Sequence, residues 1–167
     1  MKPEAIIFTS KTGFTEKYAR LLGEKTGLPV YSMKESGVLT KGTAVIYMGW
    51  LMASHISGYE KAAGSFLLSA VCAVGLCDTG TLLEETRRVT KIPDNIPLFT
   101  LQGGLDMSKL KGINKLIIKA LGKTLSAKEN KTEQDERMCY LVTHEGDYVS
   151  EENLSAVLKW YEENGRA

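Results

Sequence analysis

Short apolar segments rich in β-branched residues recur along the chain and alternate with stretches of helical length. The clearest are AVIYM at residues 44–48 and AVCAVGL at residues 70–76, which are continuously hydrophobic rather than alternating. Continuous hydrophobicity is typical of strands buried on both faces. Strands of this kind, separated by helices, build a parallel sheet sandwiched by helices. The sequence therefore predicts an α/β fold with strands at residues 5–8, 29–33, 44–48, 70–76 and 98–101.

Helical spacing is clearest at residues 15–25 and 60–68, and a polar stretch at residues 79–91 is a further candidate helix. The last segment, SEENLSAVLKWYEEN, offers Ser150 as an N-cap and acidic residues for a first turn. It also carries one apolar stripe, formed by Leu154, Val157, Leu158 and Tyr161. We therefore expect a terminal helix here.

Composition limits the class of protein. A length of 167 residues allows one compact domain over residues 1–167. The net charge of +1 provides no field to gather nucleic acid, so we expect no nucleic-acid partner. Cys72, Cys77 and Cys139 form no CxxC pair, which favours free thiols in a reducing cytoplasm and predicts no metal site. The apolar runs are too short for a signal peptide or a membrane span.

The stretch TSKTGFT, residues 9–15, follows the first strand and opens the first helix. Ligands bind at the carboxyl ends of the strands in an open sheet of this type. Backbone N–H groups around Gly13 and the hydroxyls of Ser10, Thr12 and Thr15 would form a nest suited to phosphate. Such residues also cap ordinary helices, so taken alone they favour phosphate binding and plain capping equally. A Walker loop and a dinucleotide fingerprint are both excluded by the glycine pattern.

The run SKTGFT at residues 10–15 resembles the phosphate loop of flavodoxins. The segment LFTLQGGLDMSKLKGINKLIIKALGKT at residues 98–124 is similar to the one after the fifth strand in the flavodoxin-domain branch that includes the menaquinone-dependent protoporphyrinogen IX dehydrogenases. With the loop YMGWLMASHISGYEKA and the terminal helix, the resemblance spans nearly the whole chain. It implies a flavodoxin-like, doubly wound, five-stranded parallel sheet in the order 2-1-3-4-5. It also implies a basic amphipathic helix after strand 5, within an insertion at about residues 105–137.

The resemblance implies that FMN binds across the loops after the first, third and fourth strands. The phosphate would be wrapped by Ser10, Lys11, Thr12, Gly13, Phe14 and Thr15. One side of the isoalloxazine ring would lie along Gly49, Trp50, Leu51, Met52, Ala53 and Ser54. The other side would lie along Gly75, Leu76, Cys77 and Asp78. The fifth loop would approach closely through Gly103 and Gly104.

Two positions depart from the patterns of these families. Phe14 stands where flavodoxins often have asparagine, which removes a side-chain partner but keeps the backbone donor. Thr12 stands where the dehydrogenase branch can have an acidic residue. The phosphate loop is therefore more similar to that of the electron-carrier flavodoxins.

Several residues admit two interpretations. Trp50 could stack on a flavin or anchor a loop, and His55 could donate a proton or simply be solvated. Cys77 could be redox-active but is more simply a packing residue. Asp78 could bond near the flavin or cap the next helix. His144, in a turn before the final helix, is expected at the surface.

Residues 109–124 predict a basic amphipathic helix. One row holds the lysines Lys111, Lys115, Lys119 and Lys123. The opposite side holds Leu110, Ile113, Leu116, Ile117, Ala120 and Leu121. This side either packs on the core or lies over the flavin loops or a membrane interface, and the resemblance favours the latter. The charged stretch at residues 127–137 predicts a mobile surface loop.

The leading hypothesis is a cytoplasmic FMN-containing redox protein, placed at the inner face of the membrane by residues 109–124. It would transfer electrons from a reduced donor, such as the hydrophobic protoporphyrinogen, to an acceptor such as quinone. The alternatives are a single-electron carrier for a protein partner and an FMN-free binding module. No residue is assigned as a catalytic acid or base. A signalling receiver is set aside because it needs an acidic cluster after the first strand, where this chain has TSKTG.

Overall fold

The central sheet has five parallel strands, described by a computed structural model that covers residues 1–165. In chain order these are β1 (Ala5–Thr9), β2 (Val30–Ser32), β3 (Ala44–Met52), β5 (Leu67–Gly75) and β6 (Leu98–Gln102). They lie in the order β2-β1-β3-β5-β6, and the two-residue strand β4 (His55–Ile56) pairs antiparallel with β3. The predicted order 2-1-3-4-5 is therefore confirmed, and the fold is the flavodoxin-like doubly wound type.

Residues 1–165 form six α-helices, four of which cover the two faces of this sheet. They are α1 (Phe14–Thr26), α2 (Tyr59–Ser65), α3 (Leu83–Thr90), α4 (Gly112–Ala127), α5 (Glu133–Thr143) and α6 (Ser155–Trp160). Helices α1 and α6 pack on one face, and α2 and α3 pack on the other. Side chains alternate between the two faces along each strand, so Ile46 joins the α1 side and Tyr47 the α2 side. This double burial explains why the strands are continuously hydrophobic.

The ends of the predicted elements shift where packing extends or shortens them. Helix α2 stops at Ser65, and the expected helical residues Leu67 and Leu68 belong to β5. The terminal helix starts with a 3₁₀ turn (Glu152–Leu154) before α6 and ends in a π-helical turn (Tyr161–Gly165). The N-cap position of this 3₁₀ turn is Glu151 and not the expected Ser150, although Ser150 Oγ accepts the N–H of Asn153 at 3.4 Å.

The expected mobile loop at residues 127–137 is wrong over its second half, where α5 begins at Glu133. Thr132 and Asp135 form a capping box at this helix start, in which each side chain accepts the other residue's backbone N–H. The charged residues that suggested a loop are those of an exposed helical first turn.

Helix α4 runs antiparallel to α5, so the two form a helical hairpin beyond the sheet. Ser126 Oγ lies 3.5 Å from Cys139 Sγ, and a Cβ on the buried Gly122 would lie 3.4 Å from the Thr143 side chain. A small antiparallel sheet, β7 (Gly104–Leu105) with β8 (Gly146–Asp147), joins the two ends of the hairpin to the main sheet. The sequence analysis predicted the first of these helices and neither short strand.

Candidate functional site

The loop between β1 and α1 places backbone N–H groups at the start of a helix. Gly13 has a φ of 101°, a left-handed conformation that suits glycine, and its N–H donates to Ser10 Oγ at 3.1 Å. The first helical hydrogen bond runs from the Lys17 N–H to the Gly13 carbonyl at 2.9 Å. The preceding N–H groups of the first turn therefore point out of the helix, where the helix dipole favours a negative charge.

Ser10 Oγ accepts a hydrogen bond from one N–H group, that of Gly13. Capping by Ser10 therefore explains one hydrogen bond of the loop and does not satisfy the N–H groups of the first helical turn. Gly13 itself is the N-cap residue and has no side chain to offer the others. Thr15 is buried and Thr12 is half-buried, both at the edge of a cleft. The loop thus presents hydroxyls and N–H groups together, which is the donor set that a phosphate ester requires.

One cleft gathers most of the residues expected from the sequence. It is lined by Lys11, Thr12, Phe14, Thr15, Trp50, Leu51, Met52, Gly75, Leu76 and Gly104. The loop at residues 10–15 forms one end of this cleft, and the carboxyl ends of β3 and β5 form its floor. The site therefore lies where ligands bind in doubly wound sheets.

Other expected residues lie next to the cleft and outside its lining. Ser10 supports the phosphate loop from within, and Gly103 donates its N–H to the Gly75 carbonyl at 2.7 Å. Gly103 has the expected close approach, since a Cβ there would meet the Val74 side chain at 2.7 Å. Ala53 and Ser54 form the turn between β3 and β4, with φ values of 48° and 62°.

The loop expected at residues 49–54 is wrong for its first four residues, because β3 continues to Met52. Gly49 and Trp50 pair with Ala73 and Val74 of β5, and Leu51 pairs with Ile56 of β4. The extra pairing on both sides holds these residues in a strand. Strand alternation then sends Leu51 to the α2 face, together with Tyr47.

The two strand ends that would flank an isoalloxazine ring touch each other. A Cβ on Gly75 would lie 3.3 Å from Leu51 Cβ, so the gap between these strands is closed on the α2 side. Phe14, the half-buried Trp50 and Met52 line the same cleft.

Asp78 does not cap the helix that follows it, contrary to the commoner use of an aspartate there. The N-cap position of α3 is Leu82, and the Asp78 carboxylate accepts a hydrogen bond from Arg137 Nη2 of α5 at 2.9 Å. That side-chain bond, more than the charge itself, raises the pKa of Arg137. The ion pair connects α5 to the loop expected beside the ring.

Cys77 is half-buried and lies just beyond Leu76 at the end of the cleft. Burial, assisted by the negative charges of Asp78 and Glu85, raises the pKa of its thiol. A raised pKa disfavours the reactive thiolate. This chemistry agrees with a packing role for Cys77.

Both histidines have side-chain or ring partners. His55 Nε2 lies 2.8 Å from Glu60 Oε1, and a hydrogen bond from Glu60's own backbone contributes most to the lowered pKa of that carboxyl. His144 stacks on Tyr140, with ring centroids 4.3 Å apart, at the exposed end of α5. His144 is at the surface as expected.

Polar side chains beneath the cleft tie its loops together. Gln102 Nε2 donates to the Leu76 carbonyl at 3.1 Å, and the Gln102 N–H donates to Thr79 Oγ1 at 2.9 Å. On the other side, Tyr18 Oη donates to the Gln102 carbonyl and accepts from Asn153 Nδ2 at 2.7 Å. The floor of the cleft is thus fixed by hydrogen bonds from α1, β6 and the 3₁₀ turn.

Sequence analysis missed three wall residues of the cleft, namely Val74, Leu105 and Ile118. Leu110, a fourth wall residue, was expected on the apolar side of residues 109–124, for which a position over the flavin loops was one alternative. Ile118 comes from α4, and Leu110 lies just before the start of this helix at Gly112. The hydrophobic spacing of this segment was visible, but the partner against which it packs was not. Val74 directly precedes the expected Gly75 and could have been found from its position at the strand end.

The residues fit FMN in chemistry, and the cleft must widen to admit the ring. The loop at residues 10–15 supplies phosphate donors, and the apolar walls match an isoalloxazine. The enclosed part of the cleft, however, is ≈ 80 Å³, below the roughly 300 Å³ of typical small-molecule sites.

The fold and the cleft define a flavodoxin-like doubly wound protein with a candidate phosphate loop. Comparisons of the chain with protein-family models, with curated proteins and with solved structures found no match. Among residues 1–165, none of the helices has the length and apolar character needed to cross a membrane.

Proposed function

We propose that the protein binds FMN and acts as a flavoprotein in electron transfer. The observation that carries this proposal is the junction between the loop at residues 10–15 and the apolar cleft. Thr12 and Thr15, which belong to the anion nest, also line the cleft that continues past Phe14 to Trp50. A ligand with a phosphate at one end and a flat apolar ring system at the other matches both parts.

Bound FMN would supply the redox chemistry by taking electrons from a reduced donor and passing them to an acceptor. The chain's own residues would hold the phosphate at Ser10–Thr15, orient the ring against Trp50 and Met52, and exclude water from it. Burial of the Cys77 thiol keeps a competing nucleophile protonated beside the site. This division of labour requires no acid or base from the protein.

The covering wall favours an oxidoreductase with a hydrophobic substrate. Leu105, Leu110 and Ile118 make the approach to the cleft apolar, which suits a large apolar reductant such as protoporphyrinogen and a quinone acceptor. A single-electron carrier for a protein partner is the second candidate, supported by Thr12 in the phosphate loop. Oxidation of protoporphyrinogen with a quinone acceptor, assayed on FMN-loaded protein, favours the enzyme, whereas retained flavin without this activity favours the carrier.

Replacement of the loop threonines tests where the phosphate lies. Thr12→Ala and Thr15→Ala should each weaken FMN binding by about 1–3 kcal/mol, because each removes a hydrogen-bond donor to a charged group. The measurement is a titration of protein with FMN followed by flavin fluorescence. Thr124→Ala, at an exposed position on α4 away from the loop, is the matched control and should leave FMN affinity unchanged.

The circular dichroism of each variant must equal that of the parent, because Thr15 is buried. Unchanged FMN affinity in folded Thr12→Ala and Thr15→Ala proteins would place the phosphate elsewhere. We also propose that the protein works in the cytoplasm at the inner face of a membrane, where quinones and apolar substrates reside.

A further inference from the structure

Helix α4 presents its apolar stripe to solvent and not to the core. Ile113 is 71% exposed, Leu116 66%, Ile117 44% and Leu121 38%. Successive residues of a helix are about 100° apart, so these four fall within one sector of the surface. The side of α4 that faces the protein carries the buried Gly122 instead. The chain therefore keeps a row of large aliphatic side chains in water, which is costly unless something covers it.

The charge beside this stripe has one sign. Residues 109–128 contain lysines and neither aspartate nor glutamate, although the whole chain has a net charge of only +1. Lys109 and Lys128 form ion pairs with Asp106 and Asp135. The other four lysines of this segment, Lys111, Lys115, Lys119 and Lys123, form no salt bridge with any residue in the part of the chain that the structure describes.

We propose that α4 lies flat on an anionic membrane surface. Ile113, Leu116, Ile117 and Leu121 would enter the boundary between headgroups and acyl chains, and the lysine row would contact lipid phosphates. An apolar stripe on one side and lysines on the other, polar side is the arrangement that interfacial helices use. Anionic lipid also provides the charge that complements four adjacent lysines.

A second copy of the chain suits this surface less well. A symmetric contact through α4 would bring together two helices that both carry only positive charge, and like charges repel. Four aliphatic side chains cover only a few hundred Å², whereas a stable interface buries about 800 Å² on each partner. A bilayer needs no such complementary area, because it accepts any apolar side chain.

The membrane contact depends on the surface of α4 and not on FMN. It also deepens the proposed function, since Ile118 lines the cleft while its neighbours Leu116 and Ile117 face outward. An apolar molecule leaving the bilayer at α4 would be one helix width from the cleft. Vesicle binding is therefore measured with and without added FMN, so that failure of either proposal is seen separately.

The test is flotation of the full chain with vesicles of phosphatidylcholine alone or mixed with phosphatidylglycerol. We expect binding to the anionic vesicles that weakens with added salt. Ile113→Ser with Leu116→Ser should lower the partition coefficient at least about tenfold, because two inserted aliphatic side chains are lost. Each lysine of the row changed to glutamine should lower it about fivefold.

Val38→Ser is the matched control, because Val38 is also 71% exposed but lies on a turn far from α4 in the chain. Its vesicle binding should equal that of the parent. Absence of binding to anionic vesicles overturns the proposal, as does equal loss in the control. A dimer that dissociates in the Ile113→Ser, Leu116→Ser variant, seen by sedimentation without vesicles, overturns it in favour of a second copy.

Binding that survives the serine changes while depending on the lysines alone also contradicts insertion of the stripe and would indicate an acidic partner or a purely electrostatic contact. An Ile113→Trp variant gives an independent reading. Its added tryptophan fluorescence should shift to the blue on anionic vesicles, and an unshifted spectrum contradicts burial of this position in lipid.

Discussion

Tyr47 is the residue whose buried polar group connects the sheet to the β4 turn. Its side chain is fully buried, and its hydroxyl donates to the Ser57 carbonyl at 2.6 Å while accepting from Thr9 Oγ1 at 2.8 Å. Burial raises the pKa of Tyr47 to about 12. Since the hydroxyl makes two hydrogen bonds, tyrosine stabilises the fold more than phenylalanine would at this position. Thr9, the last residue of β1, is thereby held just before the phosphate loop.

Tyr47→Phe should lower the free energy of unfolding by about 1–2 kcal/mol at neutral pH, because the Ser57 carbonyl loses its donor. The phenol pKa is raised on folding, so its contribution is complete below pH 10 and declines as pH rises through 12. The stability gap between parent and variant should therefore narrow by about 1 kcal/mol at about pH 11.

Urea unfolding of both proteins at neutral and alkaline pH measures this gap. Tyr18 and Tyr59 also have raised pKa values, but they titrate in both proteins and cancel in the difference. A gap that does not change with pH would contradict the assigned role of the Tyr47 hydroxyl.

Helices and strands that are specified by their own residues could be predicted from the sequence. Those that depend on pairing with distant segments of the chain could not. The strands of the main sheet follow from continuous hydrophobicity, and α1 follows from spacing and its glycine start. The continuation of β3 to Met52 depends on pairing with β4 and β5, which spacing does not reveal. Helix α5 did have a local signal, the capping box from Thr132 to Asp135, but its charge density resembled that of a loop.

Strand β7 has only two residues, but its packing leaves no space for a side chain at Gly104. A Cβ on Gly104 would collide with the Gly146 carbonyl oxygen and lie 2.7 Å from the Phe14 ring. Gly104→Ala should therefore lower the free energy of unfolding by about 1–3 kcal/mol through overpacking. Gly64→Ala, in α2, is the control, because a Cβ there has no neighbour within 4 Å among the described residues, and it should be neutral or stabilising by up to about 1 kcal/mol.

Urea unfolding of the two variants provides the comparison. Equal stability of Gly104→Ala and the parent would mean that β7 does not press against the phosphate loop as the structure places it.

At the scale of the whole molecule, the hairpin of α4 and α5 lies beside the carboxyl ends of the strands, and α4 contributes to the wall of the cleft there. Arg137 pairs with Asp78, and Lys17 of α1 pairs with Asp147 of β8, so both ends of the hairpin region are tied to the central fold. Both ion pairs are exposed and contribute little to stability. They are therefore compatible with a wall that moves outward when a ligand enters.

The location of the candidate site could be predicted from strand order alone, because the phosphate loop and the ends of β3 and β5 meet at one edge in any doubly wound sheet. The shape of the candidate site could not be predicted from strand order. Leu51 closes one side through contact with Gly75, and Leu110 and Ile118 cover the top. Both features depend on side-chain packing between segments far apart in sequence, for which the residues carry no local signal. Only the resemblance suggested that the apolar side of residues 109–124, which includes Leu110, could lie over the flavin loops.

The most direct test of the central claim compares FMN with riboflavin, which has the same ring system and no phosphate. The account predicts that FMN binds to the purified protein and that riboflavin binds at least about tenfold more weakly, because the loop at residues 10–15 holds the phosphate. This gap should shrink in the Thr12→Ala, Thr15→Ala double variant. Equal affinity for the two flavins, or a protein that binds neither, would contradict the account.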